Sequence, residues 1–321
     1  MRVAVLHSFV AENAPPEEMD TLIAARAVAA GLESRGHAAP LVPFAADAEK
    51  TKAALAAASP DAVFNLVEGI GGDGRLAYVA PRMLEALHLP YTGTGPDGLI
   101  ATQDKPQTKR LMAAAGMATP AWAEPPDWKG LGEGRFIVKR ADEDSSIGLD
   151  DSSVVAAADV PARAADCAAR YGGRWFAESY VEGREFNVGV LEENGAPRVL
   201  PMAEMTFADW PKNSPKIVGY AAKWDETSRE SVHTVRRFGV EAAEPELARA
   251  LAEAARRLWR QFDLRGFARV DVRVDEAGVP QILEINPNPC IAPDGGFAAA
   301  AERAGMSYAE TVERIVLEAV S

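Results

Sequence analysis

The chain has 321 residues, enough for two or three subdomains with substantial cores, and its 48% hydrophobic and 25% charged content is that of an ordinary globular protein. Its 34 basic and 47 acidic residues leave a net charge of −13, which disfavours nucleic acid or an anionic membrane as the main partner. No apolar run is long enough to span a bilayer, and Cys167 and Cys290 form neither a disulfide framework nor a zinc site. The start, Met1-Arg-Val-Ala-Val-Leu, is broken by His7 and Ser8 and reads as a buried strand rather than a signal peptide. The expected location is therefore cytoplasmic.

Apolar runs at 2–6, 40–44, 62–67 and 90–92 predict strands, with helical patterns between them at 20–35, 48–58 and 75–87. Such alternation predicts a parallel sheet flanked by helices, with ligands at the carboxyl ends of its strands. The loop after the first strand lacks Gly-x-Gly-x-x-Gly, so a dinucleotide-binding fold is not indicated. Thr92-Gly-Thr-Gly95 marks a joint. A helix over 105–115, strands over 135–140, 153–156 and 175–180, and a helix near 161–171 then make a small α+β unit. Strands near 186–191 and 199–204 follow, then an irregular stretch over 206–229. An amphipathic helix over 244–262, a hairpin of 267–274 with 279–285, and helices over 296–304 and 307–320 complete the chain. The predicted class is α/β with an α+β C-terminal half, divided at 1–95, 96–183 and 184–321.

Arg269-Val-Asp271 and Glu284-Ile-Asn286 carry the sharpest chemical pattern. Strand alternation puts Arg269 and Asp271 on one face, and a symmetric turn over 275–278 would set Arg269 opposite Glu284 with Asp271 diagonal to it. Val270, Val272, Leu283 and Ile285 would face the other way. Asp271, Glu284 and the amide oxygen of Asn286 suit a hard cation such as Mg²⁺ shared with phosphates, and Arg269 could neutralise charge developing during acyl or phosphoryl transfer. The plainer alternative is an exposed face carrying a cross-strand ion pair. Two prolines in Asn286-Pro-Asn-Pro-Cys290 stiffen the chain beyond the carboxylates and favour the site.

Lys105 opens a helix and Lys139 lies in the strand Arg-Phe-Ile-Val-Lys-Arg, while Ser145-Ser146-Ile-Gly148 can present hydroxyls and N–H groups to phosphates. Each alone also fits a surface lysine or an ordinary turn. Glu178, with Tyr180 beside it, and Glu185 could hold an adenine amino group and ribose hydroxyls, or could form a charged strand edge. Leu283 is counted with these cofactor-binding candidates.

In this order the motifs resemble the ATP-grasp superfamily and, within it, the D-alanine–D-alanine ligases. Phe64-Asn-Leu-Val-Glu-Gly-Ile-Gly-Gly-Asp-Gly looks like that family's first-substrate loop, and Leu89-Pro-Tyr-Thr-Gly-Thr-Gly with Asp104-Lys105 like its entry to the nucleotide domain. Ile137-Val-Lys139 with Ser145-Ser-Ile-Gly148, and Tyr220-Ala-Ala-Lys-Trp224, look like its phosphate-binding elements and lid. Gly266-Phe-Ala-Arg-Val-Asp and Leu-Glu284-Ile-Asn286 look like its magnesium pair. The resemblance implies an ATP-grasp fold with a Rossmann-like N-terminal domain and ATP and Mg²⁺ as cofactors. It also implies a carboxylate–amine ligase working through an acyl phosphate on amino acids or small peptide-like acids. Lys105, Lys139 and Lys223 would steady phosphates, Glu185 ribose and Asp271, Glu284 and Asn286 the metal, with Arg269 at the oxyanion. Family enzymes are often homodimers. True D-alanine–D-alanine ligase activity and a non-catalytic nucleotide-binding regulator stand as the alternatives.

Departures gather around the substrates. The family's N-terminal turn is replaced by a longer stretch in which Glu12, Glu17 or Glu18 could meet an amine, and Glu68, a catalytic candidate, stands where the family has a histidine. Cys290 replaces a glycine and reads as a small buried residue rather than a nucleophile. Asp294-Gly295 replaces carboxylate-binding side chains, and the aspartate would repel a free carboxylate but welcome an amine. Asp142-Glu-Asp144 adds acids to the phosphate loop, to recruit a second cation or lean to solvent, and Trp224 replaces a tyrosine. The four histidines, at 7, 37, 88 and 233, form no metal spacing, and His233 is expected at the surface.

Overall fold

A computed structural model describes residues 1–321 apart from Glu12, Asn13, Pro15, Glu143 and Asp144, and apart from the side chains of Pro16 and Glu17. The roles suggested for Glu12, Glu17, Glu143 and Asp144 lie outside the described residues. Three sheets organise the chain. β1 (Val3–Ser8), β2 (Leu41–Phe44) and β3 (Ala62–Leu66) pair in parallel in the order β2-β1-β3. β1 and β3 are buried through almost every residue, as strands covered on both faces must be, and this explains their continuous apolar runs. The segment expected as a fourth strand makes only a bridge between Val63 and Tyr91.

β4 (Trp122–Ala123), β5 (Arg135–Arg140), β6 (Val154–Ala156) and β7 (Trp175–Ser179) form an antiparallel sheet, with the helix Val160–Tyr171 packed on β5 and β7. β8 (Arg184–Glu193), β9 (Ala196–Val199), β10 (Ala203–Phe207), β11 (Thr234–Phe238), β12 (Phe267–Val274) and β13 (Pro280–Asn286) form the third, ordered β11-β10-β8-β12-β13 with β9 on β8. The amphipathic helix Pro245–Gln261 covers one of its faces with Leu251, Leu258 and Trp259. The other face carries the polar residues described below.

One core cluster ties the ends of the chain together. Phe267 of β12 sits 6.2 Å from Phe64 of β3 and 5.4 Å from Phe297, ring to ring. Each such buried aromatic contributes about 1.5–3 kcal/mol of hydrophobic stabilisation. The C-terminal helix Tyr308–Ala319 packs on Pro16–Ser34 at Gly31, where an added Cβ would come within 3.0 Å of Val312.

Four further sequence expectations need correction. The helix Pro96–Gln103 is absent from them, because Gly98 interrupts its pattern; a Cβ there would meet Thr94 at 2.5 Å and the Phe262 carbonyl at 2.8 Å. The strand expected over 199–204 is two strands, β9 and β10, joined through Leu200–Met202. The irregular stretch holds the short helix Tyr220–Trp224 and leads into β11, whose paired arginines hide its alternation.

The fourth correction is to the hairpin. Its connection runs over 275–279, with Asp275 accepting from Ala277 and Val279, and a bulge follows Asp271. Arg269 therefore faces Asn286 and Asp271 faces Glu284, a shift of two residues from the symmetric pairing. The bulge also turns Leu283 to the polar side with Glu284, while Ile282 takes the core position.

Candidate active site

A cavity of about 640 Å³ lies between the central and C-terminal sheets and extends to the loops after β1 and β3. The catalytic, nucleotide and metal candidates from the sequence all line it, including Glu68, Tyr180 and Leu283, as does Glu18. The volume falls in the range of small-molecule sites.

Its floor is the polar face of β8, β12 and β13. Arg269 donates from Nε to Oδ1 of Asp271 (2.8 Å) and from Nη2 to Oδ2 (2.9 Å), a two-pronged pair. The amides of Asn187 and Asn286 donate to the same carboxylate at 2.8 and 3.1 Å. Because Asn286 uses its NH₂ on Asp271, its carbonyl oxygen is left for another partner. Glu284 is the neighbour across the ladder. Burial acts to raise its pKa, but Lys105, Lys139, Lys223 and Arg269 outweigh that and hold it at about 2. The Lys105 ammonium stands 3.8 Å from its Oε2.

The depressed pKa has a consequence for stability. Ionised Glu284 contributes fully above the ordinary carboxylate value of about 4.3, and the contribution fades as pH falls toward its folded pKa. The urea midpoint of Glu284→Gln should fall below that of the parent at neutral pH, and the gap should narrow progressively below pH of about 4.3. A gap constant from neutral to acid would contradict the placement of Glu284 among four cations.

The roof comes from the central sheet. Glu178 of β7 is 1% exposed and accepts an ion pair from Lys139 of β5 at 2.9 Å and another from Lys109 at 2.6 Å. Burial would raise the pKa of Glu178, but the two lysines hold it below its usual range. Next to it the guanidinium groups of Arg135 and Arg273 lie over the Tyr180 ring, 5.1 and 5.4 Å from its centre. Arg273 also grips Glu185 through Nε (3.1 Å) and Nη2 (2.8 Å) and reaches the carbonyls of Val181 and Lys216.

Sequence reasoning misses Lys109 and Arg273. Arg273 is available from alternation, since it stands two residues beyond Asp271 on the same strand face. Lys109 is less visible: four residues past Lys105 on one helix, it resembles an exposed repeat of that charge.

The lid segment rests on the phosphate-loop candidate. Trp224 donates from its indole to the carbonyl of Ser145 (2.9 Å), Ser146 reaches the carbonyl of Val218 (3.3 Å), and the amide of Tyr220 meets Leu149 O (2.9 Å). Gly219 permits this approach, because a Cβ there would stand 2.7 Å from that same oxygen. Lys223 is thereby carried over the cavity.

At the other end, Cys290 Sγ donates to Oδ2 of Asp20 (3.1 Å), and burial pushes its thiol pKa up. That environment favours the thiol over the nucleophilic thiolate. Asp142 is buried and takes Arg140 at 3.1 Å, so it neither leans to solvent nor offers a bare cation site. Among the described residues no three His, Cys, Asp or Glu side chains cluster to hold a metal, and no helix is long and apolar enough to cross a membrane.

Comparison with known proteins agrees with this architecture. The family model "D-ala D-ala ligase C-terminus" matches residues 135–317. A D-alanine–D-alanine ligase of Bordetella petrii is 33% identical over 281 residues, 84% of this chain and 79% of that one. One of Cupriavidus necator is 30% identical over 312 residues, 93% and 87% of the two chains. The solved D-alanine–D-alanine ligase of Bacillus anthracis, complexed with ATP, shares the fold at a TM-score of 0.74 and 18% identity, covering 100% of this chain and 97% of that one. The architecture is the ATP-grasp fold of an ATP-dependent ligase that forms amides from carboxylates and amines. The chain belongs to the D-alanine–D-alanine ligase family.

Proposed function

We propose that the cavity takes ATP with Mg²⁺, phosphorylates the carboxylate of an amino acid or small peptide-like acid, and passes the acyl group to the amine of a second substrate. The observation that supports this most is the charge arrangement around Glu284, where four cations meet two carboxylates at the cavity floor. Such a site repels a lone cation but accepts a triphosphate that brings its metal with it.

In this reading Asp271, Glu284 and the free amide oxygen of Asn286 hold Mg²⁺, a hard-oxygen set that suits it. The metal, when bound, would neutralise the phosphate oxygens of the nucleotide. Lys105, Lys139 and Lys223 steady the phosphates, the backbone and hydroxyls of Ser145 and Ser146 cover them, and Leu283 packs on the base. Glu178, fixed between two lysines, and Tyr180 frame the base, while Glu185, oriented by Arg273, meets the ribose. A carboxylate oxygen of the first substrate attacks the γ-phosphorus and ADP leaves. The free amine then attacks the acyl carbon, the oxyanion develops toward Arg269, and phosphate departs as the acyl–oxygen bond breaks, carrying the proton that the amine gives up. Glu68, which lines the same cavity, meets the first substrate's amine in this reading. The divisions 1–95, 96–183 and 184–321 fit this scheme, each holding one of the three sheets.

D-alanine in both substrate positions is the second reading, favoured by the names of the curated relatives. Phosphate release from purified protein with MgATP and amino acids, singly and in pairs, tests both. Fast release with D-alanine alone supports the second reading, release only with another pair supports a different substrate, and no release with any pair removes the proposal.

A further inference from the structure

Apart from Glu178 Oε2, which Lys109 meets as an ion pair, three buried polar atoms of cavity-lining residues have no hydrogen-bond partner among the described residues: Thr234 Oγ1, Arg236 Nε and Asn288 Oδ1. Two of them stand two residues apart on β11 and so share its face. Arg236 is the notable one, because its Nε–H is buried without an acceptor, which leaves a charged donor unsatisfied beside the cavity. Asp294 is near enough to act on it electrostatically, yet no ion pair forms between them. The other charged group acting on it is Arg269, a second cation already committed to Asp271.

Arg236 is also set apart from the lysines. The cations that act most strongly on Glu284 are Lys105, Lys139, Lys223 and Arg269, whereas the charged groups acting most strongly on Arg236 are Arg269 and Asp294. Arg269 thus stands between a lysine group suited to phosphates and this lone guanidinium. The guanidinium borders Gly296: a Cβ built there would be 3.8 Å from its Nε and Nη2. Gly296 opens the helix Gly296–Arg303, which has Gly295 at its N-cap and no side chain capping its N–H groups. A helix start and an unpaired arginine together favour an anion with two oxygens.

We infer that Arg236, with the N–H groups at the start of the helix Gly296–Arg303, binds the carboxylate of the amine-bearing second substrate and selects amino acids over neutral amines. The inference rests on the ligase reading and assigns its acceptor site. It reverses the expectation from sequence that Asp294 would turn a carboxylate away, since Arg236 offsets that charge.

The test compares acceptors in acid and carboxamide form, beginning with D-alanine and D-alaninamide and extending to the amino acids of the release panel. The parent enzyme should prefer the acid. Arg236→Met should lower kcat/KM for the acid on the order of 30-fold, mostly through acceptor KM, and change the amide rate little. Arg236→Lys, which keeps a charge but loses the paired donors, should fall between, and KM for ATP should hold in both. An Arg236→Met enzyme with the parental acid-to-amide ratio, or with its defect in KM for ATP, overturns the inference. A parent enzyme that uses amides as well as acids also overturns it while leaving the ligase reading intact; one that turns over no acid at all removes both.

Discussion

Asp271→Asn and Glu284→Gln should each cut phosphate release on the order of 10³-fold, a loss in the range seen when one preorganised electrostatic group is removed from a transition state. Both changes preserve side-chain shape, so the loss would be one of charge. In Asp271→Asn the two-pronged partner of Arg269 disappears, and a guanidinium whose ionisation Asp271 and Glu284 support loses most of its compensation. Arg269 would then be free to swing from its place at the reacting centre. In Glu284→Gln the four surrounding cations lose the carboxylate they share, while Asp271 still pairs with Arg269 and Glu178 with Lys139. Nucleotide without metal should bind Glu284→Gln at least as well as the parent, because the site has become more positive. The demand for Mg²⁺ should rise instead, and raising the metal concentration should restore part of the rate. Calorimetry with and without Mg²⁺ separates these terms. Turnover above about a tenth of the parent value in either variant would remove that carboxylate from the metal set.

Much of this site is legible in the sequence because its chemistry follows strand periodicity. The alternation in Arg269-Val-Asp271 is enough to identify a polar face, and β12 falls over the predicted 267–274. What alternation does not supply is register. A bulge costs one residue and leaves no strong mark in sequence, so symmetric pairing sets Glu284 opposite Arg269 rather than Asp271. The same bulge explains why Leu283, on the wrong face by simple counting, still lines the cavity. β11 escapes detection for a different reason: Thr-Val-Arg-Arg-Phe carries charge where a strand in an apolar core would carry valine, because its inner face looks into the cavity. The residue hidden by that omission, Arg236, is the one the acceptor site depends on. Helices with strong amphipathic stripes, such as Pro245–Gln261, are legible nearly to the residue, while Pro96–Gln103, with glycine at a contact point, is not.

Lys109→Met should destabilise the protein by about 3–5 kcal/mol, the cost of breaking a buried charge network by removing one member. Lys109 is 0% exposed and is not among the cavity-lining residues, so among the described residues its ammonium serves Glu178 (2.6 Å) and Thr119 (2.7 Å). Thr119 in turn donates to the carbonyl of Ile282 at 2.8 Å, which ties the helix Lys105–Ala114 to β13 just before the bulge. Burial pulls the pKa of Lys109 down, and only the nearby carboxylates Glu178 and Glu284 pull it up. Its retention therefore depends on holding Glu178 ionised and oriented. Lys139 makes a similar contact with Glu178 at 2.9 Å but is partly exposed to the cavity. Lys139→Met should consequently lose far less stability and far more nucleotide affinity than Lys109→Met. Glu178→Gln should cost as much as Lys109→Met, since it leaves two ammonium groups close together in a low-dielectric site. Urea unfolding and nucleotide titration of the three variants form a clear contrast. If Lys109→Met and Lys139→Met lost equal stability and equal affinity, the division between a structural and a nucleotide-facing lysine would fail. A loss under about 1 kcal/mol in Lys109→Met would mean that the pair is offset by its own desolvation, as buried ion pairs can be.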